Sequence, residues 1–152
     1  MRVAACCAIV AVLQTADAKP TEIPCTGTGP LLVEITLGGK PLRFMYDSAL
    51  PGDGRIDEEV AKELGLASAG IYPTDADGGG IPLVKAEKLE IGGLKFDTAT
   101  LWSLPLGAMK QPADQRIDGA IGWQLLKGRV YTVDFANRKI IVDDEPLKDV
   151  NA

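Results

Sequence analysis

Histidine is absent from this 152-residue chain. That one absence removes Ser-His-Asp and Cys-His nucleophilic machinery, His-ligated zinc and imidazole general bases together. Any catalysis therefore falls to carboxylates, lysine, tyrosine, hydroxyls or a metal held by oxygen ligands. Cysteine is scarce: Cys6 and Cys7 sit in an N-terminal apolar run, and Cys25 stands alone, left to pair between chains or stay free. Aromatic residues make up 5% of the chain, and its basic residues are scattered within a net charge of −5, a pattern that argues against nucleic acid as a partner. No apolar run reaches the roughly 20 residues that a bilayer span requires. The N-terminal run, Val3 to Leu13, is shorter, follows Arg2 and precedes Ala16-Asp17-Ala18. This order of positive residue, apolar stretch and small-residue site predicts a signal peptide over residues 1–18. The expected product is an exported protein, periplasmic or secreted, with no membrane span after cleavage. No cofactor or metal is expected, since "DADGGG" and "GDGRIDEE" lack the calcium-loop spacing that ends in a bidentate Glu.

What is present reads mostly as short strands. Residues 19–30, rich in Pro, Gly and Thr, are expected to be an irregular lead-in, and residues 147–152 a C-terminal tail. Between them, residues 31–146 have the length of one domain. "LLVEITL" alternates, with Val33, Ile35 and Leu37 on one face. Gly38-Gly39-Lys40 marks a hairpin turn, and "PLRFMYD" is the return strand. In "IDEEVAKELG" the period changes: Ile56, Val60 and Leu64 recur every four residues ahead of Gly65, which predicts an amphipathic helix of about three turns. A second long hairpin turns on Gly92-Gly93, with a bulge or solvent-projecting section at Lys85, Glu87 and Lys88. Residues 105–118 form a loop, "GAIGWQLLKG" an apolar turn with a short helix, and "RVYTVDF" and "KIIVD" two further strands. Asp114 and Asp118 read as solvated loop acids, Asp134 as a strand or turn acid, and Trp102 and Trp123 as core or dimer-contact residues.

One stretch stands apart. "RFMYDSALPG" ends an apolar strand on Asp47, and burying a carboxylate is costly unless it is hydrogen-bonded or paired. Taken alone, Asp47-Ser48 before Pro51-Gly52 is either an Asx-type turn or the site of a catalytic carboxylate.

Three segments, in order, resemble the retropepsin-like family of single-lobe aspartic proteases. "VEITLGGKPLRFMYDSA" resembles the hairpin that leads into its Asp-Thr/Ser-Gly turn. "RIDEEVAKELGL" resembles the segment after that turn in exported bacterial members. "IDGAIGWQLLKGRVYTVDFANRKI" resembles its ψ-loop, with Ala120-Ile121-Gly122, and the closing strands. The resemblance implies a mostly-β fold: a closed barrel with a ψ-loop and one or two short helices. It implies a homodimer in which two copies of Asp47 share a proton and activate a water against a peptide or protein substrate. Ser48 would brace the paired turns, and Gly122 would let the ψ-loop pack behind them. Gly78, Gly79 and Gly80 would form the tip of a flap that closes over the substrate. The chain departs from the family at Ala49, where the motif has glycine. Two functional readings stay open: an active aspartic endopeptidase, or a catalytically inactive domain of the same fold that binds peptides or serves in assembly. An unrelated small barrel that binds an apolar ligand would need only the strand pattern.

Overall fold

The computed structural model describes residues 19–74, 79–106 and 116–146. The expected signal segment 1–18, Gly78, Asp114 and the tail 147–152 lie outside the described residues. The alternating segment becomes β2 (Leu32–Leu37), joined to β3 (Lys40–Asp47) by a two-residue turn. Gly38 and Gly39 there have φ of 58° and 78°, the left-handed pair that a tight hairpin needs to match the strand twist. The same device at Gly92 (55°) and Gly93 (93°) joins β6 (Gly80–Ile91) to β7 (Leu94–Leu104). The other elements are β1 (Thr21–Thr26), β4 (Gly54–Asp57), α1 (Glu58–Glu63), β5 (Ala67–Pro73), β8 (Gly119–Gly122), β9 (Arg129–Asp134) and β10 (Lys139–Pro146). A 3-10 turn, Trp123–Leu126, follows β8.

The strands run in the order β5-β6-β7-β4-β8-β3-β2-β1-β10-β9, and a further pairing of β2 with β6 closes six of them into a barrel. Its interior is filled from every side by the apolar face of each strand: Val33, Ile35, Phe44, Ile56, Leu89, Leu101 and Ile121 are all buried. Each such side chain is worth about 1.5–3 kcal/mol. The exposed ion pairs Lys62–Glu58 and Lys85–Glu87 belong to a class worth about 0–1 kcal/mol each. The core holds the barrel. No helix among the described residues is long and apolar enough to cross a membrane.

Two sequence expectations need correction, and one strand is unannounced by the sequence. The lead-in is not irregular throughout: Thr21–Thr26 forms β1, which pairs with β10 and touches β2, and buries Ile23 and Cys25. The helix has six residues rather than three turns. Ile56 belongs to β4 and reaches the core from a strand, so the four-residue period spanned two element types. Asp57 caps the helix start through its bond from the Glu59 N–H, and Gly65, at φ 62°, follows its end. Finally, "ASAGIYP" is a strand, β5, that the sequence pattern does not reveal. All seven of its residues are exposed, so neither face carries an alternating pattern. The expected irregularity near Lys88 is present as a φ of 55°, which turns both Glu87 and Lys88 outward between buried Ala86 and Leu89.

Candidate active site

β8 lies between β3 and β4, although those two strands are neighbours in sequence and β8 comes some seventy residues later. It runs parallel to β3, matching Phe44 to Gly119 and Asp47 to Gly122, and antiparallel to β4. This is a ψ-loop, and residues 47–53 arch over its end. All four β8 residues are buried, and two of them must be glycine. A Cβ on Gly119 would enter the Phe44 ring and the Arg55 carbonyl; one on Gly122 would enter the Gly52 and Leu50 carbonyls. The Gly122 N–H in turn donates to the Asp53 carbonyl at 3.0 Å, tying strand to arch.

Asp47 therefore sits at the last strand position before the arch and is half-buried. Its Oδ1 accepts the Ala49 N–H at 3.0 Å, and its carbonyl accepts the Leu50 N–H at 3.2 Å. This is an Asx turn inside a β-turn, and it fixes the carboxylate at the open end of the ψ-loop. Turn chemistry and a held carboxylate coincide here. Leu50 is buried and anchors the arch, while Ser48 and Ala49 are exposed. Ala49 does not share the left-handed φ found at Gly52 (79°), so a methyl group is accommodated without backbone strain. Ala120 and Ile121, also buried, complete the strand beneath.

The neighbouring ionisable groups are mostly occupied. Asp57 accepts N–H bonds at both oxygens, from Glu59 and from Leu106, each at 3.0 Å. Asp53 Oδ2 accepts the Thr100 N–H at 2.8 Å. Burial, the hydrogen bond with Tyr131 (3.2 Å) and the charge of Asp47 push the Tyr46 phenol far above its usual range, so Tyr46 stays neutral and is no general base. Among the described residues, Asp118 is the charged side chain that is buried. It is not a solvated loop acid: Oδ2 accepts the Arg43 N–H at 2.9 Å, Oδ1 accepts from Arg116 Nε at 2.6 Å, and its own N–H donates to the Arg43 carbonyl. It clamps the start of β8 to β3. Asp134 is a turn acid, as its pattern predicts, bonded to the Asn137 N–H and Nδ2. Cys25 is buried and unpaired. Among the described residues no cluster of three or more Cys, Asp or Glu side chains converges as a metal cage requires.

Beside the arch, β5 and β6 form a hairpin. The Gly79 carbonyl closes it, accepting from the Thr74 N–H (3.3 Å) and Thr74 Oγ1 (2.8 Å), and Gly80 packs against Ile71 with no room for a Cβ. Tyr72 on this hairpin leans on Trp102 of β7, ring centroids 5.2 Å apart. Trp102 is thus half-buried and faces a pocket of about 320 Å³ shared with the arch, rather than packing in the core. Trp123 is 40% exposed. A strand-end tryptophan carries no sequence signal for this role; the pocket exists only because β5, itself unforeseen, reaches across.

No protein-family model matches the chain, and no curated protein sequence matches it. Solved structures do. A retropepsin-like aspartic protease from Rickettsia conorii superposes with a TM-score of 0.56 at 17% identity, covering 81% of this chain and 89% of that one. The retroviral protease-like domain of Ddi1 from Leishmania major superposes with a TM-score of 0.52 at 14% identity, covering 83% and 100%. The barrel, the interposed β8 and these likenesses define a single-lobe acid-protease fold of the retropepsin-like kind.

Proposed function

We propose that the chain is an exported aspartic endopeptidase that works as a two-fold homodimer, with Asp47 and its symmetry mate as the catalytic dyad. The observation that carries this reading is Asp47 itself, held by the Ala49 N–H at the mouth of the ψ-loop. Hydrolysis of an amide by water needs a base for the water and an acid for the carbonyl oxygen. One carboxylate cannot be both at once, and the chain has no histidine to help. Two copies of Asp47 across a symmetry axis share one proton, because like charges so close do not both ionise. The ionised member takes a proton from water as its oxygen bonds to the carbonyl carbon; the other protonates the carbonyl oxygen. Collapse of the tetrahedral adduct breaks the C–N bond and sends a proton to the leaving amine. Ser48 braces one turn against its mate, and the hairpin closed at Gly79 and Gly80 covers the extended peptide.

Residues 19–152 incubated with a mixed peptide library between pH 3 and 7 test the proposal, with sedimentation to report the dimer. Cleavage by a dimer, reduced at least about a thousandfold in Asp47→Asn, is the expected result. A folded dimer that cleaves nothing sinks the catalytic reading. It would favour the second one, a peptide-binding module, for which the observation is the exposed Ala49 methyl on the cleft floor.

A further inference from the structure

The pocket beside the arch has an uneven chemistry. Its walls are the Trp102 and Tyr72 rings, tilted at 34° to each other, with Leu83 behind them. Asp53 supplies the one carboxylate, and no basic side chain lines the pocket among the described residues. Asp53 is held in orientation by the Thr100 N–H at Oδ2, and its other oxygen has no hydrogen-bond partner among the described residues. The Trp102 indole nitrogen lies 3.8 Å from where a Gly52 Cβ would be, so a larger residue at 52 would narrow the entrance.

Its position follows from the pairing. Gly122 faces Asp47 across the β3 side, and its N–H binds the Asp53 carbonyl on the other side. Asp47 and Asp53 therefore flank one residue of β8, roughly two strand spacings apart, about 10 Å. A peptide lying extended over Asp47 sends side chains to alternate sides at that scale.

We infer that this pocket is a specificity subsite for a basic side chain, arginine or lysine, of the peptide bound over Asp47. The inference rests on the peptide-binding half of the proposed function, not on turnover. A cation gains from the faces of Trp102 and Tyr72 and from the Asp53 carboxylate at once, whereas an acidic side chain is repelled and an aliphatic one leaves the carboxylate unused. The acidic surface of the chain, net −5, favours the same partners.

The test separates binding from chemistry. Three fluorescein-labelled peptides, identical except for one arginine, norleucine or glutamate, are titrated by anisotropy against the Asp47→Asn protein. The arginine peptide is expected to bind about tenfold more tightly than the norleucine peptide, and the glutamate peptide more weakly than either. Adding Asp53→Asn, which keeps an amide oxygen for the Thr100 N–H, should erase most of the arginine preference. Trp102→Leu should reduce it in a protein whose Asp53 is intact. Equal affinity for the arginine and norleucine peptides, a preference that survives Asp53→Asn, or no binding of any peptide overturns the inference. Selective binding by a wild type that never cleaves leaves this subsite standing and removes the catalytic reading. Cleavage with no basic preference does the reverse.

Discussion

The ψ-loop end with its arch and the β5–β6 hairpin line the same pocket and are built on opposite terms. In β8 every residue is buried, and two glycines are required because backbone carbonyls and a phenylalanine ring occupy the space of their side chains. In β5 every residue is exposed, Ile71 at 69% and Tyr72 at 49% even though its ring leans on Trp102. The first region is specified by steric exclusion, the second by little more than backbone pairing with β6. A carboxylate that must hold a fixed direction belongs on the first. Under the proposed function, a cover that must admit and release a chain belongs on the second, where few buried contacts oppose opening.

The sharpest way to break this comparison is one methyl group on each side. Gly122→Ala forces the arch carbonyls apart and should cost about 3 kcal/mol or more, a large share of the stability of an ordinary domain. Ile71→Val on the hairpin, at a side chain 69% exposed, should change stability by less than about 0.5 kcal/mol. Thermal unfolding of both variants checks this, and equal losses would erase the contrast.

A smaller effect comes from pH. Burial raises the thiol of Cys25, on β1, and burial with the Tyr131 bond raises the phenol of Tyr46, beside Asp47. A raised acid is neutral in the folded state, so its contribution is complete below the ordinary value and fades as pH climbs through the folded one. The packed end should therefore lose stability as pH rises past 9.0 and then 10.0, the ordinary thiol and phenol values. Tyr46→Phe and Cys25→Ala should flatten the alkaline limb of a Tm-against-pH curve. A limb of unchanged slope in the double variant would show that other groups set it.

The smallest effect sharpens the comparison within the arch. Ala49 lies outside the left-handed region that makes Gly52 a glycine. Ala49→Gly should then lower stability by about 0.4–1 kcal/mol through the freer unfolded chain. Any cleavage activity should stay within a few-fold of wild type. A stability gain would mean that the alanine is strained after all.

Legibility in the sequence divides along the same line. The two Gly-Gly hairpins and the alternating core strands could be read because each has a local signature, whereas the helix start was misplaced because the four-residue period ran on from Ile56 of β4. β8 could not be read from periodicity: four residues of Gly-Ala-Ile-Gly give none, and only the likeness of the longer segment pointed to a ψ-loop. Asp118 looked like any loop acid because its partner, the Arg43 backbone, is distant in sequence. β5 was silent because an edge strand exposed on both faces has no inside to mark. Asp47 was legible as a question, and its placement at the ψ-loop end depends on the pairing with Gly122.

Asp118 and Arg43 are separated by 75 residues, and that interval is also a delay. During synthesis at about 5–20 residues per second, Asp47 leaves the ribosome roughly 4–15 s before β8, the strand that will lie beneath it. Until then residues 47–53 have nothing to arch over, and the long-range closure must still meet its entropic cost. A nascent or truncated copy thus carries the carboxylate without the floor that aims it. For the proposed activity, completion of the chain is the first safeguard written into this topology.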